Sequence, residues 1–176
     1  MLATVRASRA LFDAAATSRF AHQVPARNAH FLSSVPLKKQ GVDGQLKGDH
    51  FEGKKPLVLY FSAGWCPSCR QLTPKLSSFY EKVGKSRGLE IVWISRDKTE
   101  EDLEEYYKKL PDWAYIPYGD PNIKDFMRKF DVKTIPVLRL VDEKGNIVSD
   151  EIRKDVEDNW KADPEGIMDK WEKLYK

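Results

Sequence analysis

Both cysteines of this 176-residue chain stand two residues apart, in Trp65-Cys66-Pro67-Ser68-Cys69-Arg70, between the apolar run Leu57-Val58-Leu59-Tyr60-Phe61 and a stretch of helical periodicity. Two thiols so spaced at a strand-to-helix turn can share a helix N-terminus, where unpaired N–H groups and the helix dipole favour a thiolate. Such surroundings bring a cysteine pKa from about 8.5 down to roughly 3.5 to 7.5. The expected chemistry is thiol-disulfide exchange. Cys66, nearer the helix start, is the nucleophile that forms a mixed disulfide, and Cys69, one turn deeper, resolves it. The competing readings are a zinc half-site and an inert structural pair. Zinc takes about four ligands, and beyond the N-terminal arm the chain adds only His50 to the two thiols, because His22 and His30 fall within that arm. No metal is expected.

Neighbouring residues divide between functional and plain roles. Trp65 shields the thiols or meets substrate, or else it is core. Arg70, one turn beyond Cys66, assists the thiolate or lies on a solvated helix face. Asp97 closes a strand on the side where α/β folds place their chemistry, and is a candidate for electrostatic influence on the thiol pair. Trp113, Tyr115 and Tyr118 line a partner edge or pack on the core.

The elements that must position these residues follow from periodicity. Leu57–Phe61 and Leu89–Ser95 read as strands covered on both faces. A helix is predicted over Pro67–Val83, kinked by Pro74, which removes a donor and crowds the preceding turn. A second runs from the Thr99 cap to about Leu110, where Pro111 stops it. Residues 111–120 form an aromatic-rich connection, and Asn122–Phe130 a short helix. Val137–Val141 and Asn146–Val148 flank the turn Asp142-Glu143-Lys144-Gly145, a hairpin. The Asp163 cap, Pro164 and the apolar positions Ile167, Met168, Trp171 and Leu174 give a last helix. Residues 37–56, with four glycines, leave room for a short strand or hairpin. Alternating strands and helices imply parallel strands with right-handed crossovers, and the hairpin makes the sheet mixed.

Composition bounds the rest. With 41% hydrophobic and 32% charged residues, the chain suits one globular domain. No apolar run approaches the roughly 18 residues that span a bilayer, so no membrane association is expected. The net charge of +3 conceals an imbalance: residues 1–42 hold six cations against Asp13 alone, leaving the remainder slightly acidic. That remainder lacks a basic footprint, and no nucleic acid partner is expected. Residues 1–36, rich in Ala, Ser and Arg, have the composition of a mitochondrial transit peptide, cleaved between about Arg19 and Ser34. The expected organisation is therefore a leader over 1–36 and a folded domain over 37–176, in the mitochondrion and by extension its matrix.

With these motifs assembled, the chain resembles the thioredoxin superfamily, and within it the tryparedoxin and nucleoredoxin branch. The resemblance rests on Trp65-Cys66-Pro67-Ser68-Cys69 after a strand and Thr134-Ile135-Pro136 before one. It extends to Tyr60-Phe61-Ser62-Ala63, Leu72-Thr73-Pro74 with Phe79-Tyr80, Ile91-Val92-Trp93-Ile94-Ser95-Arg96-Asp97, Pro117-Tyr118 after Trp113, and Asp163-Pro164-Glu165-Gly166. It implies an α/β thioredoxin-like fold, a central mixed sheet with helices on both faces. It also implies a cis Pro136 beside the thiols and an Ile135 backbone that pairs with extended substrate. The implied activity is a protein-disulfide reductase with no bound cofactor. Its substrates would be protein disulfides such as those of peroxidases, its electrons would come from an upstream thiol or NADPH-linked reductase, and a monomer is expected. Two other readings stay open: a redox-sensitive binding or regulatory protein of nucleoredoxin type, and a reductase serving a metal- or haem-site thiol pair. The chain departs from the pattern twice. Pro67-Ser68 stands where the branch has two prolines, and Tyr60 where thioredoxins carry a buried Asp six positions before the first cysteine. Residues between the thiols help set the potential, at about 1.4 kcal/mol per 30 mV.

Overall fold

The computed structural model describes residues 30–46, 48–53 and 56–175. Their centre is β1 (Leu57–Ser62), whose six residues are all buried. Val58 and Tyr60 point to one face of the sheet, while Leu57, Leu59 and Phe61 point to the other. That two-sided burial is why an unbroken apolar run forms this strand. Beside it lies β2 (Glu90–Ser95), parallel and in register from Leu57 opposite Glu90 to Ser62 opposite Ser95. On its other side β4 (Val137–Val141) runs antiparallel, and β5 (Ile147–Ser149) completes the hairpin. A two-residue strand, β3 (Ala114–Tyr115), pairs in parallel with β2, giving the order β3-β2-β1-β4-β5. The sheet is mixed, with its antiparallel part where the sequence predicted it.

Helices cover both faces. On one side α1 (Pro67–Phe79), α2 (Glu100–Tyr107), α4 (Ile152–Asn159) and α5 (Pro164–Lys173) pack over Val58, Tyr60, Ile91, Trp93, Leu138 and Leu140. On the other, α3 (Pro121–Lys129) and the N-terminal segment cover Leu59, Phe61, Val92 and Ile94. Thr99, Asp120 and Asp163 cap their helices by accepting backbone N–H groups, the last two followed by proline at the first helical position.

Several local readings are refined. The first helix ends as α-helix at Phe79 and widens to a π turn over Tyr80–Gly84, then tightens to a 3₁₀ turn over Lys85–Arg87. Pro74 sits inside α1, as the sequence placed it. The second helix stops at Tyr107, short of Leu110. The stretch 111–120 is no mere connection, because it carries β3. A further helix, α4, occupies residues left unassigned after the hairpin. Within residues 37–56, where a short strand or hairpin had room, the described residues carry two isolated antiparallel bridges, Leu37 to Leu46 and Lys38 to Tyr115.

The domain boundary also moves. Residues 30–36, which composition assigned to the leader, belong to the folded unit: His30, Leu32 and Val35 are buried beside Phe51, Phe61 and Phe130. The segment crosses a whole face of the sheet. Phe31 N–H donates to the Glu143 carbonyl at 3.0 Å in the β4–β5 turn, and Lys38 exchanges backbone bonds of 2.9 and 2.8 Å with Tyr115 on β3. Two buried aliphatic side chains outweigh the basic, acid-poor composition around them. The leader expected upstream, with the cleavage expected from Arg19, lies outside the described residues up to position 29. No helix among the described residues is long and apolar enough to cross a membrane.

Candidate active site

The turn after β1 delivers the two cysteines to the start of α1. Cys66 is the N-cap, with extended backbone (φ −84°, ψ 117°), and Pro67 fills the first helical position. The Cys69 N–H donates to Cys66 Sγ at 3.2 Å, so the first sulfur takes the place of a capping oxygen. It stands where backbone N–H groups and the helix dipole favour negative charge. Both cysteines are free thiols and both are buried, Cys66 at 5% exposure and Cys69 at 0%.

The loop before β4 closes over them. Ile135-Pro136 is a cis peptide, and the Cys66 thiol lies 3.8 Å from the Ile135 carbonyl as its donor. Ala63, Cys66 and Cys69 form a small apolar cluster with Ile135 against it. Residues 69 positions apart thus meet because β4 lies directly beside β1. Burial, the neighbouring Cys66 sulfur and its hydrogen bond push the Cys69 thiol up to about 12, against the opposing pull of the Ala63 N–H and the Arg153 charge.

Trp65 is not core. It is 49% exposed, its indole N–H donates to the Arg96 carbonyl at 3.0 Å, and the Lys98 ammonium lies 5.8 Å over its ring. Arg70 is exposed, and its guanidinium donates to the Gly64 carbonyl at 2.9 Å, holding the loop before the thiols. Asp97, 9% exposed, is tied into the backbone: Oδ1 accepts the Gly64 N–H at 2.8 Å and Oδ2 the Ser95 hydroxyl at 2.7 Å. Its contact with the motif is a structural hydrogen bond to the loop. The three aromatic residues of the 111–120 stretch separate. Trp113 is core, Tyr115 packs 4.3 Å from the Tyr107 ring, and Tyr118, 42% exposed, donates to the Lys98 carbonyl at 2.6 Å. His50 lies 3.6 Å from Glu90, and no cluster of three or more His, Cys, Asp or Glu is gathered among the described residues.

Sequence reasoning missed three contributors. Arg153, on the unpredicted α4, donates to the Pro136 carbonyl at 3.4 Å and is the cation that acts on Cys69. Nothing local in the sequence signals it. Thr73 and Tyr106 meet beside the dithiol through a 2.7 Å hydrogen bond. The spacing of Thr73 four residues after Cys69 places both on one helix face, a signal that was there to read.

A sequence profile described as thioredoxin-like matches residues 53–147. Among curated proteins, the probable nucleoredoxin 1 of Arabidopsis thaliana is 38% identical over 140 residues, covering 77% of this chain and 24% of its own length. The tryparedoxin of Trypanosoma brucei brucei is 37% identical over 119 residues, covering 66% of this chain and 79% of its own. The chain therefore spans about a quarter of the nucleoredoxin and most of the tryparedoxin. Among solved structures, a thioredoxin from Wuchereria bancrofti superposes with a TM-score of 0.66 at 39% identity, over 82% of this chain and 99% of that one.

Proposed function

The chain belongs to the thioredoxin-like family, on its tryparedoxin and nucleoredoxin branch, and we propose on that footing that it is a protein-disulfide reductase working through the Cys66-Pro67-Ser68-Cys69 couple. The observation that carries this reading is the setting of the Cys66 sulfur, between the Cys69 N–H at 3.2 Å and the Ile135 carbonyl at 3.8 Å.

In the first step the Cys66 thiolate attacks one sulfur of a substrate disulfide. A bond forms between Cys66 and that sulfur, the substrate S–S bond breaks, and the other sulfur departs as a thiolate that takes up a proton. In the second, the Cys69 sulfur attacks Cys66, closes the internal disulfide and releases the remaining substrate thiol. Two electrons pass to the substrate. An upstream thiol or NADPH-linked reductase restores the dithiol. The Ile135 carbonyl offers an acceptor to an extended substrate backbone, and the exposed Trp65 indole, one residue before Cys66, offers a contact surface. Protein disulfides, those of peroxidases among them, are the proposed substrates. The basic, acid-poor composition before His30 supports import into the mitochondrial matrix, with processing upstream of the buried Leu32 and Val35.

Insulin reduction with dithiothreitol as donor tests the reading. The wild-type chain accelerates it, Cys66→Ser does not, and Cys69→Ser accumulates a covalent complex with insulin that excess reductant releases. Wild-type activity in Cys66→Ser would refute the mechanism.

A further inference from the structure

Three cations gather around the exposed aromatic that stands one residue before Cys66. The Lys98 ammonium lies 5.8 Å over the Trp65 ring, and the Trp65 indole N–H donates to the Arg96 carbonyl at 3.0 Å. The Arg70 guanidinium donates to the carbonyl of Gly64, the residue before Trp65, at 2.9 Å. Arg70, Arg96 and Lys98 are all exposed, and among the described residues none of the three is ion-paired. The cations near the Ile135-Pro136 loop, by contrast, are already matched. Lys133 lies 3.4 Å from Asp131, and Arg153 lies 2.9 Å from Glu157.

The loop after β2 sorts its charges by alternation. Asp97 is buried, its carboxylate occupied by the Gly64 N–H and the Ser95 hydroxyl, while Arg96 and Lys98 on either side of it stay in solvent. The backbone that presents the two cations is held at both, because the Arg96 carbonyl accepts from Trp65 and the Lys98 carbonyl accepts from the Tyr118 hydroxyl at 2.6 Å. Trp65 and Tyr118 are themselves exposed. The acids that follow, Glu100, Glu101 and Asp102, make the first turn of α2, where they offset the positive end of its dipole. Glu105 pairs with Lys109 at 3.6 Å. The cluster also runs against the bulk charge, since the chain beyond residue 42 is slightly acidic.

We propose that Arg70, Arg96 and Lys98, with Trp65 and Tyr118, form a docking surface for an acidic segment of the protein substrate beside its disulfide, a role that rests on the function proposed above. Trp65 directly precedes Cys66, so a segment seated on it lies within a few residues of the sulfur under attack. Substrate carboxylates meet cations that have no internal ion pair to give up, and each guanidinium keeps N–H donors for them. The fixed backbone under Arg96 and Lys98 limits the ordering that docking would otherwise cost. The two rings take the apolar parts of the segment. Asp and Glu near the disulfide are thus drawn in and aligned, and Lys in the same places is repelled.

The test uses three peptides, each closed by one disulfide and identical except beside the cysteines, where they carry Asp and Glu, or Gln, or Lys. The full pre-reduced chain reduces them at about 0.01 M salt, where charges are felt over about 30 Å, and acid quench with chromatography gives the rates. The acidic peptide is expected to react about tenfold faster than the Gln peptide, the lower end of the roughly 10–10³ that electrostatic steering supplies, and the Lys peptide slowest. The advantage shrinks toward about 1 M salt, where the screening length is about 3 Å. Arg96→Gln and Lys98→Gln each reduce the acidic preference about threefold, which is what one exposed ion pair contributes. With Arg96→Glu and Lys98→Glu together the order inverts and the Lys peptide reacts fastest, a result that loss of folding does not produce. Equal rates for the three peptides with the wild-type chain, or an unchanged acidic preference in the Gln variants, would overturn the docking surface and leave the reductase function standing. No reduction of any peptide by the wild-type chain would instead remove that function, and the docking surface with it.

Discussion

The Asp97 carboxylate holds the backbone N–H of Gly64 at 2.8 Å, joining the end of β2 to the loop that carries both thiols. The same carboxylate accepts the Ser95 hydroxyl, and Ser95 Oγ in turn accepts the Asp97 N–H. Asp97→Ala leaves two donors without their acceptor, the buried Ser95 hydroxyl, worth about 1–3 kcal/mol, and the half-buried Gly64 N–H, worth less. We expect a stability loss of about 2 kcal/mol by urea denaturation, with slower disulfide reduction. Asp97→Asn, whose amide oxygen still accepts from Gly64, recovers most of both.

Gly64 is hemmed in from the other side. A Cβ built there meets Tyr106 Cβ and Cγ at 3.1 Å. Those atoms lie close to the backbone of α2 and cannot swing away, so the strain falls on the motif loop. Gly64→Ala is expected to cost about 1–3 kcal/mol, the usual range for overpacking. Insulin reduction should fall with it, and thermal unfolding measures the stability part.

The N-terminal segment gives a prediction about processing. A chain beginning at residue 29 keeps Leu32 and Val35 in place and should unfold at the midpoint of the full chain. One beginning at Leu37 uncovers the groove they fill. Leu32→Ala alone is expected to cost about 2–5 kcal/mol. Equal urea midpoints for the two truncations would show that residues 30–36 are dispensable.

Alkaline pH should weaken the fold. Burial raises Cys69 and Tyr107 to about 12, and pushes Tyr60, Tyr80 and Tyr175 further still. In the unfolded chain these groups release their protons near pH 8.5 for the thiol and 10 for the phenols, at about their ordinary values. The folded state thus binds more protons above about pH 8.5, and stability falls with rising pH. It is complete below that point and declines toward about pH 12. Urea midpoints across this range should drop, and Cys69→Ala should delay the onset. The same shift keeps Cys69 slow to alkylate in the folded protein at about pH 9.

Much of the site could be read from one contiguous stretch, because a buried strand, a turn, two thiols and a proline at the helix start are all local signals. The partner loop at Ile135-Pro136 was reached through resemblance, since nothing local says that β4 returns beside β1. What escaped was set by tertiary context. β3 is two residues long and exists through its neighbours on β2 and at Lys38. α4 buries only Ile152 and Val156 and lacks a side-chain cap, too faint a stripe amid its charges. Leu32 and Val35 were hidden in a basic composition that pointed elsewhere. Asp97 lies two residues past the end of β2 at Ser95, and its bond to Gly64 requires the register of β1 against β2.

The paired backbone bonds between Lys38 and Tyr115 have a meaning for self-association. A terminal strand with open N–H and C=O groups is a template for chain-to-chain addition. Lys38 occupies those groups at Tyr115, and its charged side chain disfavours the approach of another strand. The opposite margin of the sheet, β5, carries Ile147 with its side chain in solvent and no further strand beside it among the described residues. Ordered aggregation of this protein would therefore start from the β5 edge, and a charge at position 147 is the economical way to suppress it.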